Sequence, residues 1–287
     1  SRSAHPVVDG ERGSIAWEHR MPEGHTIHRA ARLQRKRFAG ESLVVDSPQG
    51  RFAAGAARLD GRTLLDVDAH GKHLFYRWGS GDTLHVHLGL FGRFRTWTDR
   101  APLPTDGTRL RWIGGSGTLH LSGPTACELV DPDEEAAIVA RLGPDPLAAR
   151  RGDADRFCRG LARRRAPIAQ GLLDQKLVAG IGNVYRAEML FLAGVDPHTP
   201  ANEVDEAAAN RLWELAVDLL TVGERIGRIV TVDPGEAGYR THRDVPAGER
   251  LHVYHRDGMP CRRCGSEIRR GEVGGRSLWW CPQCQAQ

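Results

Sequence analysis

Residues 174–190 read DQKLVAGIGNVYRAEML, and this stretch decides the architecture. Helix-prone runs stand on either side of a Gly-x-Gly turn, Gly180 and Gly182, and Asn183 opens the second run. A turn of this kind feeding a helix start leaves backbone N–H groups pointing outward, where the helix dipole favours an anion. A phosphate suits such an elbow. A plain helix–turn–helix corner, with Asn183 as its N-cap, accounts for the same letters. The upstream run Arg163, Arg164, Arg165 tilts the reading towards a polyanion.

The 3.6-residue period continues on both sides of the elbow. DADRFCRGLARR, APIAQGLLD, NVYRAEMLFLAG and NEVDEAAANRLWELAVDLLTVGERI make residues 153–227 helical. Segment 231–250, rich in Gly, Pro and charge, reads as a mobile connection. Beyond it comes CRRCGSEIRRGEVGGRSLWWCPQC, a Cys-x2-Cys-x16-Cys-x2-Cys array of Cys261, Cys264, Cys281 and Cys284. Two such knuckles around a hairpin bring four thiolates within tetrahedral reach of one Zn²⁺. Four thiolates leave no coordination position for water, so the ion is structural. Arg276 follows Gly274 and Gly275 at the hairpin tip, where on its own it reads as a solvated turn arginine. Cys127 and Cys158 stand alone and read as small buried hydrophobes.

Upstream of residue 131 the period changes to two. SLVVDS, RTLLDVD, KHLFYRW, DTLHVHLG, RLRWI, TLHLSG and ACELV are short apolar-alternating runs separated by Gly, Pro and Asp. They predict at least six or seven strands closing a sandwich or barrel, behind one helix in EGHTIHRAARLQRKRFAG. A short helix ends at Gly143, and GPDPLAARR reads as a linker. The fold class is α+β. Residues 1–20 precede the fold, 21–142 form the β-sandwich domain and 143–152 the linker; 153–250 form the helical domain and 251–287 the zinc hairpin.

Hydrophobic residues make up 40% and charged residues 26% of the 287, a composition suited to a packed core. No apolar run approaches the roughly 18 residues of a membrane span. The first twenty residues carry charges throughout and lack the apolar stretch of a secretory signal, so a cytoplasmic protein is expected. Net charge is +4, but it is uneven: residues 151–165 hold six arginines against two aspartates, and 256–287 six against three acidic residues. Such surfaces suit a polyanion, although a solvated charged face has the same composition.

Pro22 and Glu23 are ordinary choices for a helix start, and Lys72 for a strand end with its ammonium in water. Taken together the motifs say more. MPEGHTIHRAARL, GKHL, HVHLGLFG, DQKLVAGIGNVYRAEMLF and VYHRDGMPCRRCG…GGRSLWWCPQCQ occur in this order. This pattern resembles the formamidopyrimidine-DNA glycosylase / endonuclease VIII family of DNA repair enzymes over residues 21–287. PEG after the methionine resembles the endonuclease VIII branch, and the actinobacterial members above all.

The resemblance implies a helix and β-sandwich, a helix–two-turn–helix domain and a zinc hairpin, with damaged DNA in the cleft between the halves. It implies a monomer, located at the nucleoid, with no catalytic metal. It also implies roles: Pro22 as nucleophile, Glu23 as general acid and base, Lys72 as a phosphate contact that assists proton transfer in β-elimination. Arg276 would hold the 3′ phosphate and serve δ-elimination, and Asn183 would clamp the backbone near the lesion, with Gly182 beside it. Leu90 and Phe91 match the loop that fills the gap left by an extruded base. The implied activity is a bifunctional DNA glycosylase/AP lyase acting on oxidised bases, pyrimidines preferred. A formamidopyrimidine-type preference for 8-oxoguanine, or a non-catalytic DNA-binding relative, would use the same scaffold.

Two departures stand out. The family often carries a second Pro-Glu pair, which His25 and Thr26 replace here. Residues also precede Pro22 in this sequence, and an in-chain proline nitrogen is a tertiary amide whose lone pair is delocalised. Such a nitrogen cannot attack carbon. The expectation is therefore that Met21 is the functional start, and that the leader is absent from the active form.

Overall fold

A computed structural model describes residues 22–286; the leader assigned to 1–20 lies outside the described residues, as does Met21. Extended backbone through Glu23 leads into α1, Gly24–Phe38. Thr26 starts the helix: its hydroxyl accepts the Glu23 N–H at 3.1 Å and donates to the Glu23 carbonyl at 2.7 Å. A hydroxyl thus performs the capping that a second carboxylate could perform at this position. Ile27, Ala30, Ala31 and Phe38 form the buried stripe, and Gln34 within it accepts the Tyr76 hydroxyl at 2.7 Å.

Eight strands and one helix follow: β1 Val44–Asp46, α2 Ala53–Leu59, β2 Leu64–His70, β3 His73–Trp78, β4 Thr83–His87, β5 Arg93–Trp97, β6 Thr108–Gly114, β7 Gly117–Ser122 and β8 Ala126–Val130. They form two antiparallel four-stranded sheets, ordered β1-β6-β7-β5 and β2-β3-β4-β8. Side chains of both sheets and of α1 share one core. Its centre is aromatic: Trp112 meets Phe38, Tyr76 and Trp78 edge-on at centroid separations of 5.8, 5.4 and 6.2 Å. Edge-to-face packing of this kind adds about 0.5–1.5 kcal/mol per pair beyond the area buried.

Seven of these strands coincide with the alternating runs of the sequence. β5 and α2 have no counterpart among those runs. RFRTW alternates correctly, with Phe94 and Thr96 buried, but follows Gly92 directly and is masked by the loop before it. In α2 only Ala56 and Leu59 are buried, too few to show a stripe.

The helical half begins with α3, Pro132–Ala140, whose N-cap Asp131 accepts the Glu134 N–H at 2.8 Å. Then come α4 Asp153–Leu161, α5 Ile168–Gly171, α6 Asn183–Ala193 and α7 Glu206–Ile226. α6 is the axle of this half, with Asn183–Phe191 buried throughout. The hairpin of β9, Arg269–Val273, and β10, Arg276–Trp280, packs Val273 and Leu278 into the same core. Gly274 and Gly275 both hold positive φ, 59° and 73°, the two-residue turn that keeps the hairpin register. Segment 231–250 is irregular apart from a turn at Ala247–Glu249. Among the described residues no helix is long and apolar enough to cross a membrane.

α1 belongs to both halves. It packs on β2 and on α7, and Arg29 donates to the Glu224 and Arg225 carbonyls at 2.9 Å, closing the last turn of α7. Those carbonyls would otherwise lack partners at the helix end.

Candidate active site

The start of α1 docks onto the 174–190 elbow. Gly24 N–H donates to the Gly180 carbonyl at 2.8 Å, and the Glu23 carboxylate accepts from Gly182 N–H at 2.8 Å and Val184 N–H at 2.9 Å. The N-cap of α6 is Gly182, with Asn183 the first helical residue and not the cap. The group that fills this helix start is therefore the chain's own Glu23 carboxyl. Glycine is required for the fit: a Cβ on Gly182 would sit 2.4 Å from Glu23 Cδ, and one on Gly24 2.9 Å from Gly180 Cα. Gln175 shapes the elbow from inside, accepting Gly180 N–H and donating to the Ile181 carbonyl, both at 2.9 Å.

Lys72 reaches the same place on the turn between β2 and β3. Gly71 makes that turn at φ 57°, with no room for a side chain: its Cβ would lie 2.7 Å from Ala179 Cβ. Asp145 seats the turn. One of its oxygens takes Gly71 N–H and His28 Nε2, both at 2.7 Å, and the other takes Leu147 N–H at 2.9 Å. Burial acts to raise the Asp145 carboxyl, but His28 and the two N–H groups outweigh it and hold it below its ordinary range.

Electrostatics link the two functional groups. Burial drives the Glu23 carboxyl above the ordinary carboxylate range, against the pull of Lys72 and of the α6 N–H groups. Burial also lowers the Lys72 ammonium, with Arg276 adding to the effect and Glu23 opposing it. Each shift moves its group towards the neutral form, the condition in which a carboxyl gives and an amine takes a proton near neutrality.

Arg276 opens β10 and is exposed, as the hairpin turn dictates. The next residue, Ser277, is bound to α6 through its carbonyl: Asn183 Nδ2 donates to it at 3.0 Å and Arg186 Nη2 at 2.6 Å. Arg186 also holds Asn183 Oδ1 at 2.5 Å and the Ala169 carbonyl at 3.4 Å. Arg186 thus fixes the Asn183 side chain and the first residues of β10 together. Pro22 is half-buried beside Glu23. Leu90 and Phe91 are 50% and 84% exposed on the β4–β5 turn, two adjacent apolar side chains open to contact. That turn starts just past His87, which pairs with His73 next to Lys72.

Structure therefore gathers Glu23, Gly182, Lys72, Asn183 and Arg276 around the elbow, with Leu90 and Phe91 on a neighbouring turn. Sequence reasoning missed Asp145 and Arg186. Asp145 lies in a Pro-flanked stretch that reads as linker, and Arg186 looks like any polar residue on an amphipathic helix; neither carries a local signal.

Sulfur atoms of Cys261, Cys264, Cys281 and Cys284 lie within 4.8 Å of one another, with Cys261–Cys284 at 3.8 Å and Cys264–Cys281 at 3.4 Å. A tetrahedron with Zn–S arms of about 2.3 Å has S···S edges of about 3.8 Å, so the set fits a structural zinc. Phe191, Val253, Ile268 and Trp279 surround it in a small core of their own.

Comparison with known proteins agrees with this arrangement over more than nine-tenths of the chain. Residues 21–126 match the formamidopyrimidine-DNA glycosylase N-terminal domain, 142–233 the formamidopyrimidine-DNA glycosylase H2TH domain, and 258–287 the zinc finger found in FPG and IleRS. Endonuclease 8 1 of Mycobacterium tuberculosis is 45% identical over 269 residues, covering 92% of this chain and all of that protein. Formamidopyrimidine-DNA glycosylase of Thermus thermophilus is 33% identical over 276 residues, covering 93% and 99%. Among solved structures, Lactococcus lactis Fpg in complex with abasic-site DNA superposes with a TM-score of 0.77 at 25% identity, over 92% of this chain and all of that one. With nearly all of its two sheets, its elbow and its four-cysteine hairpin falling in matched domains, the chain belongs to the formamidopyrimidine-DNA glycosylase / endonuclease VIII family of DNA glycosylases.

Proposed function

We propose that the protein is a bifunctional DNA glycosylase/AP lyase that excises oxidised bases, pyrimidines preferred, and cleaves the strand by β,δ-elimination. The observation that carries this reading is the convergence of Glu23 and Lys72, each shifted towards neutrality, next to Pro22. Relatives include a protein named endonuclease 8 and an Fpg solved with abasic-site DNA, which favours damaged DNA as the partner.

The chemistry follows from the side chains. A damaged base is flipped from the duplex, and Leu90 and Phe91 occupy the gap, replacing lost stacking with apolar contact. Pro22, as a free secondary amine, attacks C1′ with its lone pair; the base leaves with the glycosidic electrons and takes up the N–H proton that the alkylated nitrogen sheds, which restores a lone pair on that nitrogen. Glu23, whose carboxyl burial shifts towards the protonated form, donates to O4′ as the sugar ring opens and the nitrogen lone pair closes the iminium. The iminium acidifies the C2′ proton. Its loss to a neutral amine or carboxylate at Lys72 or Glu23 expels the 3′ phosphate, and a second elimination expels the 5′ phosphate. Arg276 and Asn183 hold phosphates, and zinc keeps the Arg276 hairpin folded without entering any step.

This reading needs Pro22 to carry a free amine. A chain that keeps residues before Pro22 retains the fold and the basic surfaces while losing the nucleophile, and so acts as a DNA-binding protein. A panel of oligonucleotides tests the function: a chain starting at Pro22 is expected to excise oxidised pyrimidines faster than 8-oxoguanine and to leave phosphate on both ends of the gap. Preference for 8-oxoguanine would move the protein to the formamidopyrimidine-type specificity, and no excision of either would overturn the reading.

A further inference from the structure

A second basic feature lies apart from the Glu23–Lys72 centre. Arg156, Arg159 and Arg163 follow one another at helical spacing along α4 and the turn after it, all exposed, and Arg164 and Lys176 face them across a concavity. Its floor is Gly160, Leu177 and Pro144. Glycine makes the hollow: a Cβ at residue 160 would stand 2.7 Å from Leu177 Cδ1 and fill it. Two of the guanidiniums are held in place by the chain. Arg156 donates to the Leu142 carbonyl at 3.1 Å; Arg164 donates to the Gly160 carbonyl at 2.7 Å and pairs with Asp174 at 2.8 Å. Asp174 is thereby occupied; it also accepts Lys176 N–H at 2.9 Å and offsets part of that lysine's charge, whereas among the described residues no carboxylate forms a salt bridge with Arg159 or Arg163.

We infer that this hollow is a second DNA-backbone site, taking phosphodiesters that lie outside the lesion cleft. The inference rests on the DNA-binding reading above and extends it. Five cations set against one carboxylate, Asp174, on a preorganised, concave surface select a polyanion. The stripe from Arg156 to Arg163 rises roughly 10 Å, matching two to three nucleotides at about 3.4 Å each. Its place relative to the centre is also right. Pro144 in the floor receives Ala179 N–H at 2.9 Å, and Ala179 lies against the Gly71 turn that carries Lys72. Lys176 precedes Gly182 by six residues, which spans at most about 20 Å of chain. A strand gripped at Lys72 can therefore continue into the hollow.

The test compares Arg159→Gln/Arg163→Gln with wild type, both starting at Pro22, on abasic duplexes of about ten and about thirty base pairs, ~34 and ~100 Å long. Arg58→Gln/Arg211→Gln, which removes the same charge from α2 and α7, is the control. On the long duplex the double variant is expected to bind more weakly, with a log K against log salt slope shallower by about 0.9 for each phosphate no longer neutralised. On the short duplex its borohydride trapping is expected to equal wild type, and the control is expected to match wild type on both. Equal slopes for variant and wild type on the long duplex, with trapping intact on the short one, would overturn the second site alone. A control that loses as much as the variant would reduce the effect to net charge and overturn it too. Wild type that neither binds nor traps either duplex would overturn the DNA reading and this site with it.

Discussion

The two carboxylate oxygens of Glu23 close on the backbone N–H groups of Gly182 and Val184, 2.8 and 2.9 Å away and 159 and 161 residues along the chain. One side chain thereby caps the central helix of one half and closes the candidate active centre of the other. The helix N–H groups would favour an ionised carboxylate, yet burial outweighs them and raises the Glu23 pKa. In the proposed mechanism this shift favours proton donation to the opening sugar ring, from a place fixed by the backbone itself.

Glu23→Gln tests that double duty. The amide would turn one N–H donor against the N–H of Gly182 or Val184, leaving a buried donor without a partner, at a cost of about 1–3 kcal/mol. Base excision is expected to fall by about 10²–10⁴-fold as the general acid is lost. Chemical denaturation and single-turnover excision on the same preparation read both effects; a variant with full activity would remove Glu23 from the chemistry.

Gly182→Ala should act through Glu23. The backbone at 182, φ −125°, suits any residue, so the effect comes from the Cβ meeting Glu23 Cδ at 2.4 Å. Overpacking of this kind costs about 1–3 kcal/mol. Excision is expected to drop while zinc content stays unchanged, which separates this variant from one that loosens the hairpin. Activity equal to wild type would show that the carboxylate needs no such seat.

Acid should loosen the junction between α1 and α7. Burial pushes the His25 imidazole down to about 3, with Arg29 adding to it, and the ring packs edge-on against Tyr185. The folded state binds this proton less readily than the unfolded chain. Its stabilising share is therefore complete above the ordinary histidine pKa of 6.5 and is lost as pH falls from there towards 3. His25→Gln is expected to flatten the stability-versus-pH curve in that window by up to about 1.4 kcal/mol per pH unit. Denaturation series at several pH values check it, and an unchanged slope would mean that His25 is protonated in the fold.

Cys264→Ser should release zinc. Loss of one thiolate breaks the four-sulfur set, and the small core of Phe191, Val253, Ile268 and Trp279 loses its organiser. Metal analysis is expected to show less than stoichiometric zinc, together with weaker binding to abasic duplex, because the hairpin carries Arg276. Full zinc content in the variant would contradict the assignment of the ligands.

Legibility in the sequence follows the range of each constraint. Zinc ligation fixes spacing within a few residues, so the cysteine set and its glycine turn can be read directly. Most strands show because one buried face imposes alternation; α2 and β5 escape for want of length and of a clear boundary. The elbow reads as an anion seat, and a carboxyl group fills it, but nothing local to 174–190 can say that the group is Glu23. Lys72 and Arg276 have ordinary local explanations and gain roles only through resemblance. Asp145 and Arg186, which seat the Lys72 turn and the Asn183–Ser277 junction, act through long-range hydrogen bonds to backbone. Bonds of that kind leave no periodicity behind.

Borohydride trapping on an abasic-site oligonucleotide tests the central claim most directly, with a chain beginning at Pro22 beside the full 287-residue chain. The account predicts a covalent protein–DNA adduct from the shorter chain and none from the longer, because only the former presents a secondary amine at the Glu23–Lys72 centre. No adduct from the shorter chain, with zinc bound and the fold intact, would contradict it.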